Sequence, residues 1–374
     1  MTDYIPVKVK RLDGELVIGH SIPMSCFCYT IFRLDPYIGC SHSCIYCYTK
    51  FFPSLNPPKI KARISFPQAF QQAIHLLKKS HTPIPPFRLS ELTDGLQPIE
   101  EKLKLSYRTL KVCLQEQVPV IISTKSTLVA KPPWLDIIKE LAAEKLAIVQ
   151  ITLTLLDDNK ARKLEPHAPP PSQRIKTIET LVDEQIPVIL RLQPIIPYLN
   201  SQPDQVQQYV ETAAALKVKQ IIAETIRIST WKTLQQLQPL LTPHQYKKLT
   251  NPKLWQKYPK SPCKHPNKQW RTQTYQTIKQ QTTKYKIHFT VCREPFHNLN
   301  TAPDCCGIYL LKNPTLRPTL YEYLHNYKKQ YKYITPQHLQ KTPLKQFKQK
   351  TIKHIQIAQT TAKDPKTLHK ILLL

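Results

Sequence analysis

GCSHSCIYCYTKFF, residues 39–52, places three of the chain's ten cysteines, Cys40, Cys44 and Cys47, inside eight positions. Thiols gathered that closely predict a metal loop rather than a disulfide, above all in a reducing compartment. A four-iron cluster normally takes four thiolates, so three cysteines leave one iron without a protein ligand, and an open coordination position is the property of a catalytic centre. The alternative from the same residues is a zinc knuckle, with His42 or a distant cysteine as the fourth ligand.

Outward from this loop, apolar runs of strand length alternate with stretches of helical periodicity. Strands are expected near 31–38, 86–92, 118–124, 146–154, 187–192 and 218–224, and helices near 65–79, 99–116, 134–144, 172–184 and 203–216. Six strands with five intervening helices imply a parallel sheet with right-handed crossovers, either open or closed into an incomplete barrel. Chemistry in such folds sits at the carboxyl ends of the strands. The cysteine loop follows the first strand, and polar clusters end the next three: Ser90, Thr93 and Asp94, then Thr124, Lys125 and Ser126, then Thr152 and Thr154. All of these fall on one rim.

The C-x-x-x-C-x-x-C spacing, with an aromatic residue before the last cysteine and the motif at the end of the first strand, resembles the radical S-adenosylmethionine superfamily. PYIGCSHSCIYCY, LTDGLQPIEE, IISTKS, LEPHAPPPSQR and LQPIIPYLN together look like the spore photoproduct lyase branch, including its DNA-repair-photolyase-like members. The resemblance covers about residues 31–228. It implies an incomplete (βα)6-type parallel barrel, and a 4Fe-4S cluster on Cys40, Cys44 and Cys47 that reductively cleaves S-adenosylmethionine to a 5′-deoxyadenosyl radical. It implies a low-potential electron donor of the flavodoxin or ferredoxin type, and contacts to S-adenosylmethionine from Tyr46, Tyr48, Ser90, Thr93, Lys125 and Thr152. Glu165 and Arg174 would bind cofactor or substrate, or pair with each other; Arg191, Glu224 and Arg227 carry the same ambiguity. One departure matters: the lyase's hydrogen-donating cysteine precedes the serine of the second strand, where this chain has Leu89.

Cys263, Cys292, Cys305 and Cys306 match the count for an auxiliary metal site, although adjacent cysteines seldom bind one metal without strain. Cys113 fits an amphipathic helix and core packing; Cys26 and Cys28 have no role readable from sequence.

Residues 231–374 hold 26 Lys and Arg against four Asp and Glu, so this basic, mainly helical region carries most of the net charge of +29. Its aromatic interleaving, as in YEYLHNYKKQYKYI (321–334), suits backbone neutralisation and base stacking on DNA or RNA. Against this, five glycines and 35 prolines in a chain poor in acids also fit a guanine-poor coding strand. The domain reading is an N-terminal extension (1–30), a core (31–230) and the basic region (231–374). No apolar run approaches the roughly 18 residues of a membrane span, and the protein is expected in the cytoplasm. Two functions follow: a radical enzyme acting on an unidentified substrate, with nucleic acid a candidate, or a non-catalytic, zinc-stabilised nucleic-acid-binding protein.

Overall fold

The computed structural model describes residues 4–258, 263–325 and 331–373. Its main sheet has seven parallel strands in simple sequence order: β1 (Arg33–Leu34), β2 (Phe87–Leu89), β3 (Val120–Thr124), β4 (Ala147–Thr152), β5 (Val188–Ile195), β6 (Gln220–Thr225) and β7 (His288–Val291). Helices α1 (Phe66–Lys79), α2 (Leu105–Gln115), α3 (Trp134–Ala143), α4 (Pro171–Asp183), α5 (Pro203–Ala215) and α6 (Lys268–Lys284) fill the crossovers. Sequential parallel order with a helix in every crossover is the incomplete α/β barrel expected from the alternation. The strands read as almost continuous apolar runs because helices cover the outer face and other side chains fill the inner one.

β7 and α6 come from beyond residue 230, so the sheet takes in part of the basic region. Sequence periodicity marks α6, whereas the short β7 is indistinguishable from its Lys- and Thr-rich surroundings. The expected strand at 31–38 divides into β1 and Tyr37–Ile38, which leaves the main sheet to pair antiparallel with Ile60–Arg63; that segment also pairs in parallel with Tyr4–Val7. The expected helix 99–116 breaks at Lys104, whose φ is 51°. Glu100 covers the restart: its buried carboxylate accepts from Ser106 N at 3.0 Å, Tyr107 N at 2.9 Å, Trp134 Nε1 at 2.9 Å and the Tyr37 hydroxyl. Two orphan donors of the first turn of α2 are thereby satisfied.

At the amino-terminal end of the barrel the chain returns to plug its own interior. Ile121, Ile148, Ile189 and Ile222 pack against Cys292, Cys305, Cys306 and Ile308. Gly307, at φ 78°, makes this possible, since a Cβ there would collide with Ile189 Cδ1. The carboxylate of Asp304 holds the turn by accepting from Cys306 N at 2.7 Å, Ile308 N at 2.9 Å and Tyr309 N at 3.0 Å.

Helix α7 (Lys345–Lys363), followed by a short last helix over Pro365–Leu372, lies against the N-terminal turns. Phe347 stacks on Phe32 with centroids 5.4 Å apart, and His354 Nδ1 bonds Ser25 Oγ at 2.9 Å. Part of the aromatic and basic run at 321–334, residues 326–330, lies outside the described residues. Among those described, no helix is long and apolar enough to cross a membrane.

Candidate active site

The cysteine loop leaves β1 through Gly39, whose φ of 90° is in the left-handed region that glycine tolerates. The Gln97 side chain then clamps it, its Oε1 accepting from Ser41 N at 2.9 Å and its Nε2 donating to Gly39 O at 3.1 Å. On the other side Ile45 N donates to Leu164 O at 3.0 Å, and His167 N to His42 O at 3.2 Å. The loop is therefore tied to the turn after β2 and to the segment after β4, two parts of the barrel rim. Cys44 is buried, while Cys40 and Cys47 are half-buried. Burial pushes the Cys40 thiol up to about 12 and the Cys44 thiol to about 11; a thiolate there needs a bound cation or metal to stabilise it.

Asp94 organises three elements at once. Its Oδ1 accepts from Thr124 Oγ1 at 2.8 Å and Leu96 N at 3.0 Å, its Oδ2 accepts from Lys125 N at 2.8 Å, and Oδ2 also lies 3.5 Å from His42 Nδ1. Lys125 is thereby aimed into the mouth. Among the described residues its ammonium has no hydrogen bond or ion pair, and it sits 5.8 Å from the Tyr46 ring centroid. Desolvation pulls its pKa down, but Cys44 and Glu165 outweigh that and raise it, so the group is a held positive charge.

Glu165 and Arg174 pair at 2.5 Å, and Glu165 also accepts from the Tyr46 hydroxyl and from Thr154 Oγ1 at 2.9 Å. Arg174 further donates to the backbone carbonyls of Pro169 and Thr152. Of the two roles open to this pair in the sequence, pairing with each other is the one the structure displays.

The remaining expected contacts are placed around the same mouth with different freedom. Ser90 Oγ accepts from Gly95 N at 2.6 Å, so its lone pairs are partly committed to its own turn. Thr93 Oγ1 is buried without a partner. Thr152 faces the interior, opposite Arg191 in the adjacent strand, and Tyr48 is partly exposed, its hydroxyl donating to Glu91 O at 3.3 Å. Leu89, on β2 just before Ser90, is fully buried.

The later cysteines divide. Cys292, Cys305 and Cys306 share the barrel plug, whereas Cys263 lies elsewhere, its Sγ 3.2 Å from Ser229 Oγ. Among the described residues no three His, Cys, Asp or Glu side chains gather around one point as a single metal ion requires. A cluster spreads its thiolates over separate irons, and Cys40, Cys44 and Cys47 fit that donor set. The orphaned buried atoms Ser41 Oγ, His42 Nε2, Thr93 Oγ1 and both polar atoms of Gln193, with the unpaired Lys125, fit a polar, charged cofactor beside it.

Sequence reading missed Gln97, which clamps the loop, and the interior layer of Arg88, Gln150 and Arg293. The usable signal for the layer is a polar residue at period two within an apolar strand, as in AIVQIT and FRL.

Comparison with known proteins agrees with this geometry. The Radical SAM superfamily model matches residues 34–221. An uncharacterized protein of Methanocaldococcus jannaschii is 28% identical over 167 residues, 44% of this chain and 61% of that one. An uncharacterized protein of Acidianus two-tailed virus is 26% identical over 194 residues, 49% of this chain and 60% of the relative. The chain thus spans about three-fifths of the length of each of these relatives. Among solved structures, a cysteine-to-serine mutant of spore photoproduct lyase superposes with a TM-score of 0.58 at 11% identity, covering 77% of this chain and 81% of that one. A double mutant of the same lyase with bound AdoMet and dinucleoside spore photoproduct gives 0.55 at 13% identity over the same shares. At such identities the likeness is one of fold, and it joins the family match and the cysteine rim in a single conclusion: the chain belongs to the radical SAM superfamily.

Proposed function

We propose that this protein is a radical enzyme that cleaves S-adenosylmethionine reductively at a 4Fe-4S cluster held by Cys40, Cys44 and Cys47. The observation that carries the reading is the joint placement of the three-cysteine loop and the unpaired Lys125 ammonium at the carboxyl ends of the strands. When bound, the cluster and S-adenosylmethionine would supply an electron and a 5′-deoxyadenosyl radical able to take a hydrogen atom from substrate.

The chain's own residues position and shield. Lys125 offers a point charge to the methionine carboxylate, Thr93 and Thr152 offer adaptable hydroxyls, and Gln193 supplies a free amide. Tyr46, fixed by Glu165, walls the site beside Cys44. Gln97 and Asp94 keep the loop and the lysine in register. A flavodoxin- or ferredoxin-type donor would deliver the electron, and a reducing cytoplasm suits the clustered thiols of the cysteine loop.

The substrate is a molecule with an abstractable hydrogen, and the basic C-terminal region favours DNA or RNA. The thiol relay of the lyase is not proposed, because Leu89 carries no exchangeable hydrogen. The test is anaerobic reconstitution with S-adenosylmethionine and a strong reductant beside a Cys44→Ala control. Formation of 5′-deoxyadenosine by the wild type alone supports the reading; a protein with a full complement of iron and sulfide that forms none in the presence of nucleic acids and extracts contradicts it.

A further inference from the structure

The floor of the mouth, on the side of β5, β6 and β7, carries more positive charge than its own side chains neutralise. Arg191 on β5 faces inward and donates from Nη1 to Gln150 Oε1 at 2.7 Å, an oxygen that also accepts from Arg88 Nη1 at 2.6 Å and Ser123 Oγ at 3.0 Å. A neutral amide oxygen satisfies hydrogen bonds but cancels no charge. Among the described residues Arg191 makes no ion pair. Arg88 is served by Glu91, at 3.0 Å.

The other two arginines share one acid. Glu224, at the end of β6, pairs with Arg227 at 2.6 Å through Oε1 and with Arg293 at 2.7 Å through Oε2. Two guanidiniums thus share one carboxylate, and Arg191, which acts on Glu224 only through its charge, has no acid of its own, an excess of two positive charges. Hydrogen bonding from Cys305 draws the Cys292 thiol down to about 6 and lowers that of Cys306, which lies 3.1 Å from Arg88, so these sulfurs offset part of the excess without pairing with Arg227 or Arg293. Arg227 Nε and Arg293 Nε are buried donors without a partner, and uncompensated buried charge of this kind is costly unless a ligand completes it. The side chains remain about one-fifth exposed, 21% for Arg227 and 20% for Arg293, so an anion can reach them. Arg227 and Tyr258 also line a cavity of about 670 Å³ with His20 and Lys353, so Arg227 has an open side of its own.

We infer that Arg191, Arg227 and Arg293 seat a phosphate group of the substrate. Three neighbouring guanidinium forks with only one carboxylate among them ask for an acceptor with several oxygens around one centre. A carboxylate presents two oxygens in one plane, whereas a phosphate, carrying about −1.5 to −2 as a monoester at neutral pH, presents three and takes bidentate guanidinium bonds. Tyr48, next to the cluster ligand Cys47, has its phenol flanked by Glu91 and Arg293. The phosphate would therefore anchor the substrate within reach of the cysteine loop. Calling the anion a substrate group rests on the proposed function, whereas the site itself is tested without turnover.

The experiment is calorimetric titration of the reconstituted protein with inorganic phosphate. Saturable binding is expected in the wild type, weakened at least about tenfold in Arg191→Gln and in Arg293→Gln and unchanged in Lys341→Gln on the exposed basic surface. Should Arg191→Gln not fold, Arg191→Lys keeps the charge without the fork and is expected to bind more weakly than wild type. Binding that fails to saturate, binding as tight as wild type in both arginine variants, or tighter binding of acetate than of phosphate overturns the proposal. Competition assigns the source: a 5′-phosphorylated dinucleotide that displaces phosphate where its 5′-hydroxyl form does not identifies a nucleic-acid end, and a mononucleotide that alone displaces it identifies a small phosphorylated molecule. A protein that binds phosphate yet yields no 5′-deoxyadenosine refutes the proposed catalysis and leaves this site standing.

Discussion

Arg174 Nη2 meets Glu165 Oε2 at 2.5 Å with both side chains about 1% exposed, so the wall behind Tyr46 is built on a fully buried ion pair. Burial alone would push the Glu165 carboxyl up, but Arg174 and Lys125 outweigh it and hold the group at about 2. A carboxylate depressed in the folded state contributes stability that is present above its unfolded value of about 4.3 and is lost as the pH falls toward 2. Glu165→Gln leaves Arg174 buried and uncompensated, a loss of about 3–5 kcal/mol at neutral pH. Urea unfolding at pH 7 and across the acid range checks both: the variant should unfold earlier and lose the part of the acid dependence that Glu165 contributes.

Lys125→Gln removes the one charge aimed at the mouth by Asp94 while keeping a polar side chain of similar reach. S-adenosylmethionine binding to the reconstituted protein should weaken about tenfold, or about 1.4 kcal/mol, with iron content unchanged. Equilibrium dialysis beside an iron assay separates this from a loop that no longer assembles.

Replacing Cys40, Cys44 or Cys47 singly with alanine should reduce iron from about four per chain to near zero, because two thiolates do not retain a cubane through desalting. Cys263→Ala, whose sulfur stands apart from the plug, should leave the iron of this loop in place. Chemical iron and sulfide analysis with the visible spectrum decides it.

Gly307→Ala would force a Cβ into Ile189 at a left-handed position and should cost about 1–3 kcal/mol by overpacking and strain. A shift in the midpoint of urea unfolding without a change in slope is the expected signature.

If the basic C-terminal region engages nucleic acid, log affinity should fall linearly with log salt, with a slope of about −0.7 for each phosphate neutralised on a single strand. A flat salt dependence would assign the charge to composition alone.

Much of this was legible in the chain because it is local. The spacing of Cys40, Cys44 and Cys47, the alternation of apolar strands with periodic helices, and polar residues at the strand ends are all set within windows of a few residues, where backbone geometry dictates the pattern. What the local pattern leaves open is who meets whom. The pairing of Glu165 with Arg174, nine residues apart and one of two roles their motif allows, is decided by how the segment after β4 folds back on itself; the entry of Cys305, Cys306 and Gly307 into the barrel, the addition of β7 to the sheet, and the sharing of Glu224 with Arg293 arise between segments tens to hundreds of residues apart. Those contacts are chosen by packing and by the need to satisfy buried charge inside the incomplete barrel, and only the tertiary structure makes that choice.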